Sequence, residues 1–483
     1  MKFLLLITCL ISFLSKGFGQ ETQSQIDKKD LRQIINILTS DSLGGRGTAS
    51  EGQKKAERYI SDSFKKLGLS PYNQNGYLEK FELKQTYWDQ VYIETPNMKL
   101  NNFDKIVFQG NTNQNREVEK EVVFGGMGTD EELNKIDVTD RFVLVFIKNL
   151  RATSEISRKL EKKKAFGVIL ANPENDKQFE SIKRTFKDFS LAKRFSLLSN
   201  ENITKRRAEW DTIRFTNSIL IPNSQIKNIS GLSINKLKKL IESNKITDAP
   251  IVKVKTKFEK VIKKLETANV IGVIKGKTNK TIVISAHYDH LGVIDASYFP
   301  GADDNASGVA ALLELAELFS TSENLDFNIM FLATSAEEAG LLGSSYHVNN
   351  VAFNPKNIIC NINLDMISRS DEKHVSKDYL YCIGSDQSNS LDELIKNADI
   401  AYDKCHFDYS LNNSKDPMGI FTRSDNYSFY KKGVPAIFFF SGLHADYHKI
   451  TDTANKIDYK NLEHRVEQIS KVIELLESGG FKN

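Results

Sequence analysis

The chain reads as an α/β protein: a mixed, mostly parallel central sheet flanked by helices, with a β-rich segment inserted in it. Three observations predict this. From residue 256 onward, short apolar runs alternate with helical patterns. Those runs are apolar at nearly every position, as strands buried on both faces are. Between residues 95 and 255 the alternation gives way to short β-like runs.

The elements follow in order. Lys2 precedes an apolar run over 3–14, and the small residues Gly17 and Gly19 follow it. The run is too short to span a bilayer, which takes about 20 residues. It reads as a secretory signal over 1–19, cleaved near Gly19. The spacing then predicts helices over 30–38 and 51–67, joined by the turn Gly44-Gly45-Arg46-Gly47. That turn has neither the Lys-Ser/Thr nor the preceding strand of a phosphate loop. Residues 20–94 form the first part of the main domain, 95–255 the insert and 256–483 the rest. In the insert, β-like runs fall at 121–124, 142–147, 167–170 and 218–222, with a basic helix over 157–165. In the last part, strands are expected at 281–287, 327–334, 358–366, 379–383 and 434–440. Helices are expected at 305–319, 339–348, 391–398, 426–432 and 462–478.

Composition excludes several classes. Of 483 residues, 40% are hydrophobic and 27% charged, which is not the composition of a disordered, collagen-like or coiled-coil chain. The net charge of +4 offers no electrostatic case for nucleic acid or an anionic membrane. Without the signal no stable membrane insertion is expected, so the chain is read as exported, to the periplasm or the medium. Cys9 leaves with the signal. The remaining three cysteines are too few for a disulfide scaffold. Cys360 falls in an apolar strand, and Cys382 and Cys405 are either a pair or buried thiols.

The chemistry gathers at one place. His287 and Asp289 close one expected strand, and Asp303-Asp304-Asn305 opens the helix after it. Glu337-Glu338 and Asp365 each follow a strand, and His448 lies beyond another. All fall at or past carboxyl ends of strands, the edge where open α/β sheets bind ligands. Two histidines and three carboxylates are ligands that zinc accepts, and five are too many for one tetrahedral ion. They suit two ions about 3.5–4 Å apart that share one carboxylate. Of the adjacent Glu337 and Glu338, one can bind metal while the other acts as general base. Asp289 is close enough to accept the second N–H of a metal-bound His287. His444 and His448 have the spacing of a helical metal pair, but a Gly-Leu turn precedes them.

The stretches Ala286-His287-Tyr288-Asp289-His290-Leu291-Gly292, Gly301-Ala302-Asp303-Asp304-Asn305-Ala306-Ser307-Gly308 and Ser335-Ala336-Glu337-Glu338-Ala339-Gly340 closely resemble the M28 family of metallopeptidases. Asn363-Leu364-Asp365-Met366 and Asp446-Tyr447-His448-Lys449 extend the match. The resemblance covers roughly residues 30–90 and 256–480, and the insert resembles a protease-associated (PA) domain. It implies a zinc-peptidase-like fold and two zinc ions, which cobalt or manganese can replace. Asp304 would bridge them, His287 and Asp365 would complete one shell, and Glu338 and His448 the other. Glu337 would be the general base, Asp289 would orient His287, and Tyr447 would either face the oxyanion, as in some members, or be a packing aromatic. Arg423-Ser424-Asp425-Asn426 departs from the family's Ser-Asp-His at a residue that is not a ligand. The implied activity is a zinc aminopeptidase acting on peptides. The alternatives are a carboxypeptidase or dipeptidase of the same family, a glutaminyl cyclase, and a binding ectodomain without catalysis.

Overall fold

The strands Thr281–His287 and Ile358–Leu364 are buried at every residue, so neither shows the alternation of a half-exposed strand. The computed structural model that places them describes residues 26–479, apart from 75, 111, 192, 199–216, 413–415 and 417, with only the backbone of 186–191. The signal expected at 1–19 lies outside the described residues. The chain divides into two units. One comprises the chain up to Phe81 and from Glu266 onward, and the other runs from Glu82 to Leu265.

In the first unit the sheet order is His406–Asp408, Tyr379–Ile383, Ala436–Phe440, Ile358–Leu364, Thr281–His287, Asn328–Thr334 and the end of Val252–Ile274. Ala436–Phe440, Ile358–Leu364, Thr281–His287 and Asn328–Thr334 are parallel to one another. Tyr379–Ile383 is antiparallel to Ala436–Phe440 and parallel to His406–Asp408, and the last strand is antiparallel to Asn328–Thr334. The sheet is therefore mixed and mostly parallel at its centre, with helices against it. Asp27 caps Lys28–Leu38 by accepting from Lys29 N, and Ser50 caps Glu51–Lys66 by accepting from Gln53 N. These two helices, Gly308–Ser320 and Tyr459–Glu477 bury Leu31, Phe64, Leu312 and Ile469 against Ile284, Ile362, Phe331 and Phe439. The other parity of the same strands, including Val283 and Leu332, packs with Phe429 in a second cluster.

The helix expected from residue 305 begins three residues later, at Gly308. Ala302–Ser307 is an irregular turn in which Asp304 and Asn305 are not helical. Side chains hold it in that form. The Asp452 carboxylate accepts from the backbone N–H groups of Asp303 and Asp304 at 3.0 and 3.1 Å. Asn305 Oδ1 accepts from Gly308 N, doing the work of a cap from inside the turn.

Gly44-Gly45-Arg46-Gly47 is a structural turn. Its Arg46 is fully buried, and its guanidinium donates to the carbonyls of Leu38, Tyr288, Pro300 and Gly301 at 2.7–2.9 Å. Cys360, Cys382 and Cys405 are free buried thiols, so Cys382 and Cys405 do not pair in this structure.

The second unit is also built around a run of paired strands. Gln114–Phe124, Phe142–Phe146, Gly167–Ala171 and Asn217–Leu220 are parallel, and Val252–Thr256 runs antiparallel beside the first of them. Its core includes Phe108, Phe142 and Phe258. The helix expected at 157–165 is Thr153–Lys162. The unit is wider than 95–255 because Leu78–Glu94 and Val252–Ile274 are unbroken strands that carry the chain from one unit to the other. No turn or change of composition marks such a boundary.

Glu314 of the helix Gly308–Ser320 is buried in the first unit. Burial pushes its carboxyl up to about 8; the Asp27 N–H opposes this and Asp30 and Glu317 add to it. The folded value lies above the unfolded one, so the stability Glu314 contributes is complete below about pH 4.5 and lost as pH rises through about 8. Glu314→Gln is therefore expected to raise the Tm by roughly 5 °C at about pH 9 and to give no gain at about pH 5. Thermal unfolding of both proteins at the two pH values checks this, and an equal shift at both would refute it.

Candidate active site

The four parallel strands end side by side, and the residues just past them meet. His287 is the last residue of Thr281–His287, and Asp289 and His290 follow in the next loop. Asp304 sits in the turn Ala302–Ser307. Glu337 and Glu338 follow Asn328–Thr334, Asp365 follows Ile358–Leu364, and His448 lies beyond Ala436–Phe440.

Asp304 is at the centre. Its Oδ1 lies 3.4 Å from His287 Nε2, and its Oδ2 lies 3.1 Å from His448 Nε2. His287 Nε2 is also 3.2 Å from Asp365 Oδ1, and His448 Nε2 is 3.3 Å from Glu338 Oε2. The two oxygens of one carboxylate thus face two separate histidine–carboxylate pairs. Metal–ligand bonds of about 2.0–2.1 Å in a tetrahedron put ligand atoms about 3.4 Å apart. The four spacings match that edge, so the donor set fits zinc. Glu337 stands slightly back, with Oε2 4.0 Å from His287 Nε2.

The surroundings hold these groups in place. Ser424 Oγ donates to Asp365 Oδ2 at 2.7 Å. Asp303 accepts from the backbone and hydroxyl of Ser368 at 2.8 and 2.6 Å. His444 Nε2 lies 3.2 Å from Asp303, so His444 buttresses the turn from behind and is not paired with His448 in one cluster. Asn426 donates to the carbonyl of Phe421, away from the histidines.

Asp289 differs from the expectation. His287 Nδ1 contacts the backbone carbonyl of Asp289 at 3.1 Å, not its carboxylate. The carboxylate instead accepts from Thr48 Oγ1 at 2.7 Å and from the backbone N–H of Glu337 at 3.1 Å. Two donors on the far side turn the side chain away from the imidazole. Asp289 therefore orients His287 through its main chain and holds the Glu337 loop through its side chain.

His290 is a site residue that sequence reasoning passes over. It is buried, and its Nδ1 lies 2.8 Å from Glu338 Oε1. With Asp304 and Glu338 it forms a group close enough to hold an ion, as His287, Asp304 and Asp365 do. The available signal was a second histidine three residues past the first, in the same strand-end loop.

The electrostatics reflect crowded negative charge. Burial pulls the His287 imidazole down, but Asp365, Glu337 and Asp304 outweigh it and raise it well above its usual value. Burial also opposes charge on His448, yet hydrogen bonds with Asp304 and Glu338 take it up to about 10. Burial pushes the Glu337 carboxyl well up; His287 opposes this, while Glu338 and Asp365 add to it. Burial would raise Glu338 too, but His290 and His448 hold it well below the usual carboxylate range. Asp289 is pushed up to about 6, chiefly by burial. Protons are the positive charge this shell otherwise collects, and a divalent cation supplies the same charge without them.

The same residues line a pocket whose other wall is Met366, Ile420, Phe438, Phe440 and Leu443, with Arg423 and Tyr447. Arg423 is exposed and donates from Nη2 to Tyr447 Oη at 3.3 Å. Tyr447 stacks on His448, with ring centroids 3.8 Å apart.

Comparison with known proteins agrees with this geometry. Residues 269–473 match the model of peptidase family M28. Aminopeptidase YwaD of Bacillus subtilis is 39% identical over 109 residues, 22% of this chain and 23% of that protein. Leucine aminopeptidase 1 of Leptosphaeria maculans is 29% identical over 217 residues, 41% of this chain and 52% of that one. The matched stretch thus spans about half of these curated relatives or less. Among solved structures, an aminopeptidase from Aneurinibacillus sp. strain AM-1 matches with a TM-score of 0.53 at 21% identity, covering 93% of this chain and 94% of that one. BSAP, a zinc aminopeptidase from Bacillus subtilis, matches with a TM-score of 0.52 at 20% identity, covering 94% and 96%. The five candidate ligands all lie inside the stretch, residues 269–473, that matches the model of peptidase family M28.

Proposed function

We propose that the chain is an exported aminopeptidase that holds two zinc ions and removes N-terminal residues from peptides. The observation that carries the metal reading is the division of Asp304, one oxygen toward His287 and Asp365 and the other toward His448 and Glu338. The aminopeptidase names of the relatives support the choice of reaction. Export rests on the apolar N-terminal run. Among the described residues, no helix is long and apolar enough to cross a membrane.

Zinc, when bound, lowers the pKa of water and polarises a carbonyl. The chain's own residues do the rest. His287 and Asp365 would hold one ion, His448 and Glu338 the other, and Asp304 would contribute to both. Glu337 stands beside His287 with a carboxyl that burial makes basic. It accepts a proton as water attacks the scissile carbonyl and passes it to the leaving amine as the C–N bond breaks. Tyr447, raised by burial and by nearby carboxylates, keeps its proton and can donate to the oxyanion. The wall of Met366, Phe438 and Phe440 receives an apolar side chain. The PA-like insert is a lid or a substrate selector.

A second reading has one observation in its favour. Arg423 lines the pocket, and a guanidinium there suits a substrate carboxylate, as a carboxypeptidase or dipeptidase needs. Aminoacyl anilides with free and with blocked amines, offered to the zinc-loaded chain, separate the two. Turnover of free-amine substrates only is expected. Cleavage of amine-blocked peptides with a free carboxylate would favour the second reading.

Two substitutions test the roles. Glu337→Gln is expected to keep its zinc and lose roughly 10²–10⁴ in kcat. A kcat near that of the unmodified chain would refute the base assignment. His448→Ala is expected to bring zinc content from about two ions per chain to about one, measured by metal analysis after dialysis. Unchanged content would remove His448 from the ligand set.

A further inference from the structure

Glu338 is held from two sides. Its Oε2 lies 3.3 Å from His448 Nε2, and its Oε1 lies 2.8 Å from His290 Nδ1. His290 is the more deeply placed of the two histidines, with 1% of its surface exposed. Its ring favours Glu338 over Asp304, whose Oδ2 is 3.8 Å from Nδ1. The other ring nitrogen, Nε2, is buried with no hydrogen-bond partner. The contact to a carboxylate therefore takes the ring's proton at Nδ1, which leaves Nε2 as a bare acceptor.

The fold spends structure on this ring. The backbone N–H of His290 donates to the carbonyl of Arg46 at 3.1 Å, so its main chain is pinned. Gly301, at φ +60°, makes the slot. A Cβ there would lie 2.5 and 2.6 Å from His290 Cδ2 and Cγ, and 2.2 Å from the Asp304 carbonyl. Gly301 is itself held, because its carbonyl accepts from Arg46 at 2.9 Å. One buried arginine thus fixes both the loop that carries the imidazole and the glycine that admits it.

We propose that His290 is a positioning residue for the Glu338 ligand: its Nδ1–H holds Oε1 and presents Oε2 beside His448 Nε2 and Asp304 Oδ2. The proposal rests on the metal reading above. A carboxylate without that partner can rotate or offer both oxygens, and loss of such an orienting contact costs about 10–100-fold in metal affinity. The alternative role for His290 is direct ligation.

Zinc titration of metal-free protein against a competing chelator tests this in the unmodified chain, His290→Ala and His290→Asn. The asparagine amide N–H falls near the position of Nδ1 and donates a hydrogen bond, but it is no zinc ligand. His290→Ala is expected to weaken one zinc step by about 10–100-fold and leave the other unchanged. His290→Asn is expected to recover most of that loss. The thermal midpoint of each metal-free protein reports folding independently, and if His290→Ala does not fold, His290→Asn against the unmodified chain carries the test. Two normal steps in His290→Ala would overturn the proposal and leave the zinc reading standing. Loss of the step in a folded His290→Asn would overturn it in favour of direct ligation. An unmodified chain that takes up no zinc would overturn the metal reading, and this one with it.

Discussion

Concentrated, buried negative charge is the constraint on which the site depends. Asp289, Glu337, Glu338 and Asp365 lie within a few residues of strand ends and Asp304 lies in the turn Ala302–Ser307, and all five are largely removed from water. Burying one unpaired carboxylate is costly, and burying five close together is not sustainable without positive charge among them. Even with both protonated, His287 and His448 leave five ionised carboxylates unbalanced, and the same crowding raises the Glu337 carboxyl well above its usual range. Metal ions solve the same problem with the imidazoles neutral. Stability and function are then coupled, because the cations that would activate water also offset the desolvation of their ligands.

Such a site needs a rigid frame, and the parallel sheet provides one. Four of the five candidate ligands lie at or beyond the ends of strands whose register is fixed on both sides. The turn carrying Asp304 is the exception, since it belongs to no strand. Its backbone N–H groups are held by Asp452 and its Asn305 by the strand-end carbonyl of Leu364. Arg46 ties the N-terminal segment to Gly301 at the start of the same turn. That explains why a segment more than two hundred residues upstream is part of the same structural unit.

The five strand-end positions and the alternating sheet are legible in sequence because both are encoded locally. A buried parallel strand is a continuous apolar run, and the residue after it is a ligand or it is not. What is not legible depends on contacts across the chain. The helix start at Gly308 is set by Asp452, some 150 residues later. The direction of the Asp289 carboxylate is set by Thr48, 241 residues away. His290 looks like any polar loop residue until Glu338 and Gly301 are seen around it. The edges of the second unit are hidden for another reason, since strands that cross a boundary carry no turn residues to mark it.

Strand parity is the last piece, and it separates the core from the pocket. Ala436–Phe440 reads as five apolar residues with nothing to distinguish them. Ile437 and Phe439 join the main core, whereas Phe438 and Phe440 join Met366, Tyr379 and Tyr381 in a separate cluster that borders the ligands. Side chains alternate along a strand, so a single run supplies both the packing that holds the sheet and an apolar wall of the pocket. A one-residue slip would exchange the two sets and place Ile437 and Phe439 at the pocket. The register with Ile358–Leu364, which also fixes Asp365, is what prevents it. The apolar wall and Asp365 are thus set by the same hydrogen-bonded ladder, so the distance between them is a property of the sheet.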